Sequence, residues 1–174
     1  ELVKTAFATI QSKHKLSEAL TLSPRISNRY NEDDYRYFRH DLSKARSQHY
    51  NNAFMAELNA SYDQNYGSFG LGIESRFENI TSSNIGKHSR ENYGGYIEFK
   101  TEMIKNLYIN LGTYVNYNSD YSWQVFPGID LGYDLHTNWK LIFNAGSSQR
   151  IPSFTDLYLN QRPANIGNPQ LQAE

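Results

Sequence analysis

The strongest constraint on this chain is a two-residue period in hydropathy that persists for longer than an ordinary strand needs. Leu107, Ile109, Leu111, Thr113, Val115 and Tyr117 alternate with Tyr108, Asn110, Gly112, Tyr114 and Asn116. The same grammar sets Phe69, Leu71, Ile73, Ser75 and Phe77 against Gly70, Gly72, Glu74 and Arg76. It recurs over Leu20 to Tyr30, Phe54 to Tyr62, Tyr96 to Met103, Trp123 to Leu135 and Trp139 to Gly146. A first segment, Lys4 to Lys13, is ambiguous because Phe7 is out of phase with Ala6, Ala8 and Ile10. Alternation of this kind marks strands with one apolar face. The spacing predicts about eight strands, near the ~9–11 residues that cross a bilayer and longer than the ~5–6 of a soluble strand.

The connections alternate as well. His14 to Ala19, Asp63 to Gly67, Ile104 to Asn106 and His136 to Asn138 are short. Asn31 to Asn51, Asn79 to Glu91 and the tail after Pro152 are long, with Asn118 to Ser122 a short exception. An up-and-down membrane barrel has tight turns at one end and long loops at the other. Rings on the apolar phase collect at the strand ends: Tyr30, Phe77, Tyr93, Tyr117 and Trp123 toward the long loops, Tyr62, Phe69, Tyr133 and Trp139 toward the short turns. Two aromatic girdles around an aliphatic band are the signature of two membrane interfaces. The opposite phase carries Glu57, Glu74, Arg76, Glu98, Lys100, Glu102, Asp130, Asp134 and Lys140, which suit a hydrated lumen where opposite charges pair.

Composition removes other classes. Seventeen basic against eighteen acidic residues give a net charge of −1, so there is no basic surplus for nucleic acid. There is no cysteine, hence no disulfide framework or thiolate site. No apolar run approaches the ~18 residues of a membrane helix. No phosphate-cradling glycine loop or nucleophile elbow occurs, and carboxylate pairs such as Glu98 and Glu102 read as lumenal charge. The chain opens without a basic start and apolar core, and reads as a piece of something longer.

The alternation breaks at Arg150-Ile151-Pro152-Ser153-Phe154-Thr155-Asp156-Leu157-Tyr158, followed by Gly167-Asn168-Pro169-Gln170-Leu171-Gln172-Ala173-Glu174. This pair of blocks resembles the TonB-dependent outer-membrane receptors, whose barrels carry an arginine-x-proline stretch, an aspartate-leucine-tyrosine and then a glycine-asparagine-proline-x-leucine-x-x-glutamate. The matching positions are Arg150, Pro152, Phe154, Asp156, Leu157, Tyr158, Gly167, Asn168, Pro169, Leu171 and Glu174. The stretches Leu16 to Leu22 and Pro127 to Tyr133 also look like the cobalamin and siderophore branch.

The resemblance implies an all-β, antiparallel, up-and-down transmembrane barrel of about 22 strands, of which residues 1–174 supply about eight. It implies a bacterial outer-membrane location and active import of a scarce large nutrient such as cobalamin or a ferric siderophore. The implied partners are outer-membrane lipid, the remaining strands, an N-terminal plug, TonB acting through that plug, the nutrient itself and, at the cell surface, a lipoprotein. Plug and remaining strands are absent from these residues. Within the long connection, Tyr35, Arg36, Tyr37, Phe38, Arg39 and Tyr50 are the candidate ligand contacts through stacking and cation–π attraction, against a plain reading as a solvated strand pair above the membrane. No cofactor or metal is expected. Glu32, Asp33 and Asp34 offer oxygens for Ca²⁺ but lack the alternate spacing of a calcium loop, and His40 and His49 share the segment with nothing to fix their approach. Two other readings stay open: a complete eight-stranded barrel with a structural or adhesion role, and a soluble carbohydrate-binding sandwich.

Overall fold

The computed structural model describes residues 2–36, 38, 41, 46–161 and 164–174. Eight long strands run antiparallel in chain order: β1 (Leu2–Gln11), β3 (Leu20–Arg36), β4 (Arg46–Gln64), β5 (Gly67–Ser82), β6 (Gly86–Thr101), β7 (Leu107–Asn118), β8 (Ser122–His136) and β9 (Trp139–Gly146). A two-residue strand, β2 (His14–Lys15), pairs with the start of β3. Beyond β9 come a short helix, α1 (Phe154–Tyr158), and a small ladder of β10 (Asn160–Gln161) with β11 (Asn165–Ile166). Every long strand pairs with its neighbour in sequence, the meander the alternation predicts. Among the described residues β1 and β9 do not pair, and no second sheet covers the first. Those two facts remove the closed eight-stranded barrel and the sandwich.

The register puts the apolar phase on one face of all eight strands. Leu58 sits opposite Ile73, Ile73 opposite Gly95, Gly95 opposite Val115, and Val115 opposite Val125. These side chains are not packed into a core: Ile73, Ile97, Leu111, Val125 and Leu141 are all exposed, Leu111 at 44%. A soluble protein does not leave such a wall of aliphatics bare. The only buried hydrophobics among the described residues, Ile80, Ile85 and Leu157, lie beyond the aromatic ring at the extended end. β1 joins the same scheme: Ala6, Ala8 and Ile10 pair with Tyr30, Asn28 and Ile26 on the apolar face. That places Phe7 on the opposite face, where it is 66% exposed on an unpaired edge.

Both girdles form. At the extended end Phe54 meets Phe77 at 6.5 Å, Phe77 meets Tyr93 at 5.8 Å and Tyr117 meets Trp123 at 5.2 Å between ring centroids. At the short-turn end Phe69 meets Phe99 at 4.7 Å. Phe77 lies opposite Glu91, while Tyr93 lies opposite Ser75, two residues away. The belt therefore steps in register as it crosses strands, which is what tilted strands in a barrel wall require. On β8 the ten steps from Trp123 to Tyr133 span ~33 Å, or ~25 Å of height at a tilt of 35–45°, the thickness of a barrel's apolar band.

Two predicted long connections are corrected. Asn31 to Asn51 is mostly strand, with β3 running to Arg36 and β4 starting at Arg46. Asn79 to Glu91 contains only a three-residue turn, Ser83 to Ile85, between β5 and β6. Backbone pairing continues there, but outside hydrocarbon the outward residues are no longer apolar, so the period-two signal fades while the strand does not. The turn is fixed locally, because Ser82 Oγ accepts the N–H groups of Asn84 and Ile85 at 3.3 and 3.1 Å. The strands reach 16 to 19 residues and project past the membrane at this end. The chain is all-β as expected, with α1 a single helical turn after the last long strand.

Neighbouring positions on β7 test the two faces. Leu111→Arg places a cation among lipid and should destabilise the protein in vesicles by ~2–4 kcal/mol. Asn110→Arg points inward, keeps a donor toward Asp130, which Asn110 Nδ2 now reaches at 2.9 Å, and should cost less than ~1 kcal/mol. Urea unfolding in phospholipid vesicles measures both, and equal losses contradict the assigned phase.

Candidate functional site

The inward face is a polar wall with its charges paired. Arg25 meets Glu57 at 2.7 Å across β3 and β4, Lys100 meets Glu98 at 2.9 Å, and Arg76 meets Glu78 at 3.3 Å. Asp130 accepts hydrogen bonds from Asn110 at 2.9 Å and Asn144 at 2.6 Å. Lys140 stands 3.7 Å from Asp134, and Glu102 falls past the end of β6. Two tyrosines lie flat on the sheet over glycine backbone. A Cβ on Gly94 or Gly72 would overlap the rings of Tyr114 or Tyr96, respectively. Tyr114 then donates to Glu74 at 2.6 Å and Tyr96 to Asn59 at 3.0 Å. The missing side chains let large rings fold against the wall and leave the interior open.

Above this wall, residues from β3 to β8 and the segment after β9 line one cavity of about 710 Å³. Arg29, Glu74, Arg76, Asn92, Asn116 and Gln124 face it, so its lining is rich in cations and amides. The sheet is therefore concave on its polar face. Asn118, fully buried, organises the β7–β8 turn: its Oδ1 accepts the N–H of Asp120 and of Tyr121, and its Nδ2 donates to Asn92 at 2.6 Å. Amide side chains at turns do this because their reach mimics a backbone turn.

Arg90 is the hub of the extended end. It is 6% exposed, its Nε donates to Asp120 at 2.8 Å and its Nη1 donates to the Pro152 carbonyl at 3.0 Å. Its guanidinium stacks over Phe154 at 4.7 Å and Tyr121 at 5.7 Å. A planar fork that also stacks is what arginine supplies and lysine does not. Arg90 Nη2 and Asn92 Nδ2, two residues apart on β6, are buried donors without a protein acceptor among the described residues.

The motif segment folds as one arm against this hub. Ser153 Oγ accepts the Asp156 N–H at 3.2 Å while Asp156 Oδ2 accepts the Ser153 N–H at 2.9 Å, a capping box that starts α1. Those bonds, with Arg150 at 3.1 Å, hold the Asp156 carboxyl below the usual carboxylate range. Leu157 is buried at 3% exposure. Tyr158 stacks flat on His88 at 3.7 Å, and His88 Nε2 donates to the Ile85 carbonyl at 2.9 Å. Gly167 lies so close that a Cβ there would sit 2.6 Å from the Leu157 carbonyl carbon, and its N–H donates to Leu159 O at 2.7 Å. Asn168 N–H donates to Asp156 O, and Tyr121 donates to Leu171 O at 3.1 Å. Pro169 occupies the turn after Asn168, and Arg150 and Glu174 exchange both backbone hydrogen bonds. The motif residues thus meet one another across the arm, with Phe154 and Pro152 joining it to Arg90.

The hairpin candidates do not converge. Arg36 is on the outward phase and bonds Asp34 at 2.6 Å, and Tyr50 is on that same phase beside Gln48. Tyr35 points to the other face, and Phe38 is exposed. Tyr37, Arg39 and His40 lie outside the described residues. The three acids split in the same way: Glu32 meets Lys4 at 3.3 Å, Asp34 is shared by Arg36 and Arg46, and Asp33 faces inward. His49 Nδ1 is 2.8 Å from Ser82 Oγ. The period-two parity of these residues could have separated them in advance. The Arg90 hub had no such signal, because its partners lie 30 and 62 residues away.

Against known proteins, residues 3–174 match the family described as TonB dependent receptor-like, beta-barrel. Comparison with curated proteins finds no match. Among solved structures, the chain is similar to the siderophore receptor PirA from Pseudomonas aeruginosa, at TM-score 0.68 and 13% identity over 98% of this chain and 40% of that one. It is also similar to the siderophore receptor PirA from Acinetobacter baumannii, at TM-score 0.70 and 13% identity over 98% of this chain and 31% of that one. The chain thus spans less than half the length of these structures.

Two measurements probe the extended end. Arg90→Ala leaves Asp120 and the Pro152 carbonyl without their donor and should loosen the arm by about 2–3 kcal/mol, read as faster proteolysis between Leu159 and Gly167. Asp34 is held well below the usual carboxylate range by hydrogen bonds from Arg46 and Arg36, which outweigh desolvation in a hairpin one sheet thick. A depressed carboxyl stabilises above its unfolded value of about 3.9 and loses that contribution as pH falls below it. Protection of the amides near Asp34 and Arg46, taken relative to the intrinsic exchange rate at each pH, should therefore fall between about pH 5 and pH 2. Asp34→Asn should show lower protection at neutral pH and a flatter protection profile, and identical profiles would remove the cluster from the hairpin's support.

Proposed function

The chain belongs to the TonB-dependent receptor-like β-barrel family, which resides in the bacterial outer membrane, and we propose on that premise that it is a wall segment of a larger importing barrel. The observation that carries this reading is the two-faced wall: bare aliphatics between two aromatic belts outside, paired charges and a cavity of about 710 Å³ inside. The unpaired edges of β1 and β9 need further strands in lipid, where an open ladder is costly. A plug within the lumen, TonB pulling on that plug and a large nutrient entering from the extended end complete the reading. The wall forms and breaks no bonds; it orients and passes a ligand.

For the nutrient, a ferric siderophore is favoured over cobalamin. The two PirA structures compared above are named siderophore receptors. The cavity lining supports an oxygen-rich anionic ligand, since Arg29, Arg76 and Arg90 face it beside Glu74 and Glu78, with amides between. The Arg90 and Asn92 donors stand on the same wall.

The full-length parent protein, expressed in a Gram-negative strain lacking its own siderophore receptors, tests this. We expect uptake of an iron-loaded siderophore that stops on loss of the proton-motive force, and no uptake of cobalamin. The double change Arg29→Glu and Arg76→Glu should weaken binding of an anionic siderophore about tenfold or more, equivalent to about 1.4 kcal/mol. Cobalamin uptake, or uptake indifferent to the charge reversal, would contradict the ligand class.

A further inference from the structure

On the apolar face, a trough breaks the wall. Where β6 crosses the band the outward position is Gly95, flanked by Ile73 on β5, Val115 on β7 and Ile97 two residues along β6. The missing side chain leaves a notch of about 570 Å³ that reaches Leu58 on β4. A second hollow of about 370 Å³ shares Ile97 and Thr113 with the first and continues to Phe69, Phe99 and Leu111. Together they form one groove following the strand direction, and the four steps from Gly95 to Phe99 make it ~13 Å long. Its floor is sheet backbone and its walls are aliphatic, with Phe69 and Phe99 at one end.

We infer that this trough is a seat for a single phospholipid acyl chain, held more tightly than the lipid around the rest of the wall. It rests on the reading of this face as lipid-facing. Three observations select the occupant. The groove lies wholly inside the band bracketed by the Phe77–Tyr93 and Phe69–Phe99 rings, continuous with the surface that meets hydrocarbon. Its lining carries no ionic side chain on the outward phase, and the Thr113 hydroxyl is the one polar side-chain group there, too little to hold a polar partner. Its footprint, three strand spacings by two residue pairs, is ~100–200 Å², far below the ~800 Å² per partner of a stable protein interface. A second copy of the chain would leave it mostly unused, whereas one flexible hydrocarbon chain fills it along its length.

Gly95 has room for the test. A Cβ there would lie 3.2 Å from the Gly72 carbonyl oxygen and 3.7 Å from Ile73, so a larger side chain projects into the notch with a small local adjustment. The full-length parent protein is reconstituted in vesicles of phosphatidylethanolamine and phosphatidylglycerol, extracted in mild detergent and weighed intact by native mass spectrometry. We expect one phospholipid to survive detergent exchange on the unaltered protein. Gly95→Leu should reduce its occupancy at least tenfold, with Val115→Phe, which closes the trough from the side, giving the same loss. Ala145→Leu, an outward change on β9 away from the trough, should retain it. Heat-resistant migration on gels verifies that each variant folds. Absence of a retained phospholipid, equal retention in Gly95→Leu and Val115→Phe, or equal loss in Ala145→Leu overturns the seat. A dimer abolished by Gly95→Leu would assign the groove to a second copy and also overturns it. Protein that floats with the vesicles yet retains no phospholipid removes the seat alone; protein that does not float removes the membrane reading as well.

Discussion

Hydrocarbon holds no water, so every backbone N–H and C=O that enters it must find its partner within the protein. That requirement organises the rest of this structure. Where no helix is long and apolar enough to cross, as among the described residues here, it leaves long ladders, and a ladder's side chains alternate between two solvents. One face must then satisfy lipid and the other water. The eight strands meet both demands with register alone: one parity carries Leu58, Ile73, Val115 and Val125, the other carries Glu57, Glu74, Asn116 and Gln124. A shift of one residue anywhere would exchange the faces. The edges at β1 and β9 are where the requirement is unmet within the described residues, and they are also where an inward-phase aromatic, Phe7, stands exposed.

Beyond the membrane the constraint relaxes and different physics takes over. The extended hairpins of β3–β4 and β5–β6 need no apolar parity, only ladder pairing and caps such as Ser82. There lie the buried hydrophobics of the described residues, Ile80, Ile85 and Leu157, and there the arm is pinned by Arg90, His88 and the Asp156 capping box. The residues that carry the family resemblance are spent on holding one another: Gly167 admits the Leu157 carbonyl, Asp156 anchors Ser153 and Arg150, and Phe154 covers the guanidinium of Arg90. Through Phe154 and Ser153 that arm also forms one side of the cavity. Shape at the mouth and stability of the arm are therefore one problem.

What was legible in the sequence follows the same division. Inside the band, composition and parity coincide, so Leu107 to Tyr117 could be read residue by residue, down to the girdle ring Tyr117 that touches Trp123. Past the band the backbone continues as strand without the apolar signal, and Asn79 to Ser82 reads as loop when it is ladder. Parity still held there and would have separated Tyr35 from Arg36 and Tyr50, which share a connection but face opposite sides. Long-range contacts left no trace: Arg90 meets Pro152 because β6 and the arm are brought together by the geometry of the three ladders from β6 to β9, not by any local pattern. The Gly94–Tyr114 and Gly72–Tyr96 contacts are of that kind too, visible only as unremarked glycines in a strand.

The central claim is that adjacent positions on one strand meet different solvents. Spin labels placed singly at positions 108 to 115 of the full-length parent protein in phospholipid vesicles measure it, through collision with oxygen, which concentrates in lipid. The account predicts peaks in oxygen access at positions 109, 111, 113 and 115 and troughs at the even positions, with a period of two. A flat profile, or odd positions shielded as in a packed core, would contradict it.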